Sequence, residues 1–261
     1  MFLRMTSKTN KIKKFWDEQA IKYKTGFEAS WKDILTFKEI EAIKKEVCCC
    51  CLLLDIGCAN GFSTFPLLEK ANMILGIDYS KEMIKQANKK KKIGKLDKID
   101  FEVGNILDLD KPRFQNAFDQ VVCKRVIINL NNKAEQKKAL RQMHSVLIKH
   151  GVLLLSEPTI EGLNKINKLR KELGLELMKE PWHNKYISEA WLKKEIKGLF
   201  KLEKVVDFSS TYYVMSRVFN AFLNKLYGSE PGHNDMINKM ALSLPDSKGF
   251  GIQKLFVLRK I

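Results

Sequence analysis

The chain has 261 residues, 45% of them hydrophobic, enough for one large α/β domain with a full core. No apolar run has the length to cross a bilayer, and Met1 to Lys14 is basic and polar with no secretory core, so a cytoplasmic location is expected. The formal net charge of +17 invites a nucleic-acid surface, but only seven of the 47 basic residues are arginine and lysine is spread along the whole chain; such diffuse charge reads as solvated faces, makes nucleic acid a disfavoured partner, and still steers an anionic small molecule.

Taken in order, Lys11 to Glu46 carries helical periodicity, with Phe15, Trp16, Ala20 and Tyr23 on one stripe, a break at Gly26, and a second helix from Ser30 or Asp33 bearing Ile34, Phe37, Ile40 and Ile43. The run Cys48 to Cys51 leads into the first strand. Neighbours on a strand point to opposite faces, so the run cannot chelate one metal from one side; it reads as small buried thiols in a reducing compartment. Val47 to Asp55 is the first strand, Gly57-Cys58-Ala59-Asn60-Gly61 a tight turn, and Ser63 to Lys70 the first helix of the core. The glycines let backbone approach a ligand closely, and the helix start leaves N–H groups facing the same crevice. The spacing is not G-x-G-x-x-G and no G-K-[ST] is present, which removes the dinucleotide fingerprint and the P-loop.

Met73 to Asp78 is the second strand and ends in a carboxylate, close to the ~20 residues expected between a glycine turn and a diol-binding acid. Capping of a helix at Ser80 is the other reading of Asp78, and both can hold. Ile99 to Ile106 is the third strand with its exit, and Phe118 to Val126 the fourth. Ligands of open parallel sheets sit beyond the carboxyl ends of strands, which puts Cys123, Lys124 and Arg125 at the mouth. Lys133 to Lys149 is an amphipathic helix ended by Gly151, Val152 to Glu157 the fifth strand, and Pro158 to Gly174 a loop and helix. A polar aromatic loop, Glu180 to Tyr186, precedes a helix opened by Ser188. Phe200 to Phe208 is a sixth strand, with Ser209 to Tyr213 open as its extension; Val214 to Met240 is a helical insertion and Lys254 to Leu258 the last strand.

Asp55-x-Gly57-x-Ala59-x-Gly61, then Asp78, then Gly104-Asn105-Ile106, agree in order and spacing with a known pattern. They resemble the class I S-adenosylmethionine-dependent methyltransferases, whose first motif is D/E-x-G-x-G-x-G; Ala59 is a mild departure. The resemblance implies an α/β, Rossmann-like, seven-stranded and mostly parallel sheet with flanking helices. It makes residues 1–46 an N-terminal helical lid and residues 47–261 the methyltransferase domain, with an insertion at about 209–250. The cofactor implied is S-adenosylmethionine, leaving as S-adenosylhomocysteine. Asp55, Gly57, Ala59 and Gly61 then line its turn, Asp78 its ribose, Tyr79 and Met83 its adenine, Asn105 and Ile106 the adenine edge, and Cys123 the end of the fourth strand. Asn105 stands where the family has an acid, so it accepts without charge.

The second half is similar to methyltransferases of bacterial surface- and capsular-polysaccharide clusters, including those of O-methyl phosphoramidate groups. The residues carrying this likeness are Lys124 to Leu130, Asn164 with Arg170, Trp182-His183-Asn184, and Ser209 to Tyr213 with Arg217. It implies a small-molecule or glycan acceptor with negative charge. A hydroxyl acceptor needs a base, for which His183 comes first and Glu157 second. An anionic oxygen needs cations instead, and Arg125, Arg170 and Arg217 are the fork donors. Trp182 belongs to the same acceptor loop. Tyr212 and Tyr213 could donate hydrogen bonds, with only one facing the site if the stretch is a strand. No metal-ligand spacing occurs. An RNA methyltransferase using the basic surface is the competing reading, weakened by Cys123-Lys124-Arg125-Val126 where base-nitrogen enzymes carry N/D-P-P-Y/F; a cofactor-binding protein without catalysis is the third.

Overall fold

The apolar runs pair into one seven-stranded sheet of order β3-β2-β1-β4-β5-β7-β6. The strands are β1 (Leu52–Ile56), β2 (Met73–Asp78), β3 (Ile99–Val103), β4 (Phe118–Lys124), β5 (Leu147–Pro158), β6 (Phe200–Val206) and β7 (Gln253–Lys260). They belong to a computed structural model that describes residues 7–49, 51–230, 232 and 235–261. β1 to β5 run parallel, while β7 is antiparallel to both β5 and β6. Strand order reverses between β1 and β4, which opens a crevice at their carboxyl ends. The β1 interior is buried from Leu53 to Ile56, as a strand covered on both faces requires.

Helices pack on both faces. α1 (Ser7–Tyr23) meets α3 (Lys81–Gly94) through Ala20, Met83 and the partly buried Trp16 and Tyr23. α2 (Leu35–Glu46) starts where Asp33 Oδ1 accepts the Leu35 N–H at 3.0 Å, and its Leu35 and Ile43 lie in the largest core cluster. α2 is thus part of the core, while α1 and the short 3-10 helix Phe27–Ala29 bring Phe15, Trp16, Gln19 and Glu28 to the crevice. Residues 1–6 of the expected lid, and Pro231, His233 and Asn234 of the expected insertion, lie outside the described residues. No helix among the described residues is long and apolar enough to cross a membrane.

Several local expectations are corrected. β1 begins at Leu52 rather than Val47; Cys48 and Cys49 are exposed in a turn ahead of it, Cys51 is buried, and Cys50 lies outside the described residues. Ser63 to Lys70 forms no α-helix: Pro66 sits at the start of a short 3-10 turn, Phe65–Glu69, where it withholds an N–H. α4 (Lys133–Val146) ends before Lys149, because β5 already begins at Leu147 and bends where His150 adopts a left-handed φ of 63°. α5 (Ile160–Glu172) and α6 (Glu189–Glu195) fall as expected, the latter capped by Ser188. Ser209 to Tyr213 is not an extension of β6. Asp207 accepts from Ser210 N (3.2 Å) and Ser210 Oγ (2.6 Å), which turns the chain into α7 (Ser210–Tyr213). A π-helical stretch, Val214–Phe219, leads on to α8 (Asn220–Tyr227), and α9 (Met236–Ser243) follows.

Candidate active site

Beyond the carboxyl ends of β1, β2, β4 and β5 lies a cavity of about 460 Å³, roofed by Phe15, Trp16 and Gln19 of α1. One half is built by the glycine turn. Gly57 has φ +74°, donates its N–H to Ile77 O at 2.8 Å, and leaves no room for a side chain, since a Cβ would lie 2.2 Å from Val126 Cγ2. Ala59, at φ 49°, donates its N–H to Asp78 Oδ2 (3.0 Å), and Ser80 N donates to Asp78 Oδ1 (2.8 Å). The turn and the acid at the end of β2 are therefore one hydrogen-bonded unit. Burial raises the Asp78 carboxyl to about 6, against the pull of those two amides. Tyr79 and Met83 also line this half, and the Tyr79 hydroxyl is buried with no hydrogen-bond partner among the described residues.

The turn is also tied to the roof. Asn60 Nδ2 donates to Lys24 O (2.7 Å) and Gly26 O (2.8 Å), just past α1, while Ser80 Oγ donates to Asp17 Oδ1 within α1 at 2.5 Å.

The other half starts from the end of β4. Lys124 and Arg125 both line the cavity, and Arg125 takes a left-handed φ of 54° while its N–H donates to Ser156 O at 2.8 Å. Its guanidinium carbon lies 4.1 Å from the centre of the Trp31 ring, and its Nε 3.3 Å from Glu39 Oε2. Lys124 Nζ is 3.9 Å from the same carboxylate oxygen. Glu39 itself is fully buried on α2, and its Oε1 accepts from Ser156 Oγ (2.6 Å) and Gln253 Nε2 (2.8 Å). Burial, with Arg125 alongside, lowers the Lys124 ammonium to about 8. Tyr213, Tyr186, Asn129 and His183 complete the wall. The His183 ring stacks on Phe15 at 4.8 Å and meets Trp16 edge-on at 5.5 Å; its Nδ1 is buried with no hydrogen-bond partner among the described residues, and burial lowers its pKa.

Residues 51–209 match the family described as a methyltransferase domain, more than half of the chain. The chain belongs to that methyltransferase family. A demethylmenaquinone methyltransferase of Oceanobacillus iheyensis is 25% identical over 56% of this chain and 66% of its own length. An uncharacterized protein of Rickettsia prowazekii is 31% identical over 46% of this chain and 47% of its own. The chain thus spans about half the length of the Rickettsia relative and just under two thirds of the Oceanobacillus one. In structure it is similar to the N-methyltransferase NodS of Bradyrhizobium japonicum WM9 in complex with S-adenosylhomocysteine, at TM-score 0.57 and 13% identity, over 94% of this chain and 98% of that one. At that identity the likeness is one of fold.

The methyltransferase's sheet and helices put Gly57, Ala59, Asp78, Tyr79, Met83, Arg125, His183 and Tyr213 on the cavity wall. Ten other expected residues lie off it. Asp55 is buried below the turn, where it accepts from Thr64 Oγ1 at 2.6 Å and burial raises it to about 6. Gly61 abuts the rings of Phe65 and Phe101. Asn105 is exposed and its Oδ1 accepts from Leu107 N at 2.9 Å, while Ile106 and Cys123 are core side chains. Glu157 lies behind the wall: its Oε1 accepts from Val126 N and Ile127 N, both at 2.8 Å, and holds the turn that follows Arg125, while its Oε2 is buried with no hydrogen-bond partner among the described residues. Tyr212 is fully buried with its hydroxyl donating to Asp33, and Arg217 pairs with the same carboxylate. Arg170 donates to the backbone oxygens of Glu176 and Arg217, bracing the helical insertion. Trp182 is 58% exposed and meets His183 edge-on at 5.3 Å. Lys124, expected at the mouth of the crevice from its place at the end of the fourth strand, does line the wall, whereas Trp31 was missed because it sits between two helices with no motif around it.

Proposed function

We propose that this methyltransferase acts on a hydroxyl of a small anionic acceptor, glycan-linked or bearing a phosphate or phosphoramidate group, in synthesis of a bacterial surface polysaccharide. The observation that carries this reading is Arg125. Its side chain lines the cavity and stacks on Trp31, its Nε faces Glu39, and its two terminal nitrogens hydrogen-bond to no described residue. A guanidinium presented in this way is a fork for a carboxylate or phosphate. The name of the Oceanobacillus relative points instead to a quinone, but Lys124 and Arg125, adjacent at the end of β4 and sharing the single carboxylate of Glu39, favour an acidic acceptor over an apolar ring.

S-adenosylmethionine, when bound, supplies an electrophilic methyl group carried on a sulfonium. Asp78 suits its diol, since each carboxylate oxygen uses one acceptor site on a backbone N–H and keeps another. Tyr79 and Met83 flank the adenine, and the roof of α1 serves as the lid, excluding water. On the acceptor side Arg125 fixes the anionic group, and His183 Nδ1, neutral and unpartnered, takes the hydroxyl proton. Asp78→Asn is expected to weaken S-adenosylhomocysteine binding ~10- to 100-fold, the ~1.5–3 kcal/mol of hydrogen bonds to a charged group; isothermal titration calorimetry measures it.

A methyl-release assay tests the acceptor class, using glycan and nucleotide-linked acceptors with and without an acidic group. The acidic members should be methylated, and Arg125→Ala should raise their KM ~10- to 100-fold, as expected for a charge-assisted contact. Equal turnover of neutral acceptors would remove the acidic-acceptor reading.

A further inference from the structure

One carboxylate oxygen in the acceptor half serves two cations. Glu39 Oε1 is occupied by Ser156 Oγ and Gln253 Nε2, which leaves Oε2 to face both Arg125 Nε at 3.3 Å and Lys124 Nζ at 3.9 Å. Only the nearer distance approaches a hydrogen bond. Lys124 is 7% exposed, yet its side chain reaches the cavity, and its ammonium donates to no described residue. The Lys124 ammonium and the Arg125 fork thus have no hydrogen-bond acceptor among the described residues, and Glu39 Oε2 and Arg125 Nε are buried without a hydrogen-bond partner there, so the oxygens of an entering acceptor would give both cations charge-assisted bonds.

We infer that Lys124 and Arg125 together form a bridging oxyanion subsite, with Lys124 the second cation that receives the acceptor's acidic group and Glu39 the counter-ion that positions both. The inference rests on the acidic-acceptor reading above and names the residue that completes it. The ligand class is a single trigonal or tetrahedral oxyanion, whether carboxylate, phosphate ester, phosphoramidate or sulfonate.

The charged neighbours of Lys124 are Arg125 beside it, Glu39 from α2 and Asp55 from β1; Asp33 and Glu157 act on Arg125. Asp33 is already bound by Arg217 and Tyr212, and burial raises Glu157 to about 8. The Lys124 ammonium, lowered to about 8, should lose its charge above that pH, and the oxyanion should then lose one of its two cations. Charging of Glu157 acts in the same direction, so the difference between wild type and a lysine variant is the readout.

The probe is benzenesulfonate, whose charge is constant from pH 6 to 10, with neutral benzamide as its counterpart, each titrated into the protein saturated with S-adenosylhomocysteine. In the wild type, benzenesulfonate should bind better than benzamide and weaken at least ~10-fold between pH 7 and pH 9.5, the order expected when one charge-assisted bond is lost. Lys124→Arg should remove most of that decline. Lys124→Met should bind the probe ~10-fold more weakly at pH 7, with S-adenosylhomocysteine affinity retained. A Lys124→Arg profile that falls like the wild type, or a Lys124→Met protein that binds the probe like the wild type, overturns the role of Lys124. Equal binding of benzamide and benzenesulfonate by the wild type instead overturns the acidic-acceptor reading beneath it.

Discussion

Alanine at position 183 is expected to lower kcat by ~10²-fold or more, the usual worth of a positioned general base. The imidazole stacks on Phe15 and meets Trp16 edge-on, which fixes its ring plane, and its Nδ1 has no hydrogen-bond partner among the described residues. Burial disfavours the imidazolium and lowers the pKa below the ordinary value of about 6.5. The basic form therefore persists to lower pH than in a free histidine. The acid limb of kcat against pH should fall below 6.5 in the wild type and vanish in His183→Ala. Steady-state kinetics with a turned-over acceptor check both points. A variant with unchanged kcat would mean that the attacked oxygen carries no proton, as in a phosphoramidate anion, and would end the assignment of His183 as base.

The largest loss of stability is expected at Asp33. This carboxylate, 2% exposed, accepts from Leu35 N at the start of α2, from the Tyr212 hydroxyl and from the Arg217 guanidinium. It joins the N-terminal helices to the helical insertion across nearly the whole length of the chain. Asp33→Ala removes the acceptor from all three donors, and breaking a buried pair by deleting one partner costs ~3–5 kcal/mol. For a chain of this size that corresponds to a fall in Tm of roughly 6–20 °C, which thermal denaturation followed by circular dichroism will show. Tyr212→Phe deletes a single neutral partner and should cost only ~0.5–1.5 kcal/mol. If both variants melted alike, Asp33 would not be the joint between these elements.

The half of the cavity built by the glycine turn was legible in part, through Gly57, Ala59, Asp78, Tyr79 and Met83, because its signals are local. An apolar run, an acid and a glycine turn follow one another within ten residues, and Asp78 closes the next strand; Ala59 N–H bonding to Asp78 is what that spacing encodes. The acceptor half was less legible because its partners are far apart in sequence. Glu39 reads as an ordinary polar position of an amphipathic helix until Ser156, Gln253 and Arg125 converge on it. Arg170, Arg217 and Tyr212 were reasonable fork and donor residues by type, yet backbone oxygens and Asp33 absorb them. Thr211-Tyr212-Tyr213-Val214 favours a strand by propensity, and the Asp207 cap overrides it. Tyr213 alone still reaches the wall, through helical rather than alternating geometry.

The family's match runs from residue 51 to residue 209, whereas Trp16, Trp31, Glu39, Tyr213 and Gln253 all fall outside it. The matched stretch holds the glycine turn and Asp78 together with Lys124, Arg125 and His183, so it supplies residues to both halves of the cavity, while the segments on either side of it add the roof and part of the wall beside Arg125. Substitutions in the flanking segments would reshape the roof and one side of the cavity while the glycine turn and Asp78 keep their sequence, so kinship over residues 51–209 speaks for that turn more than for the shape of the space beside it.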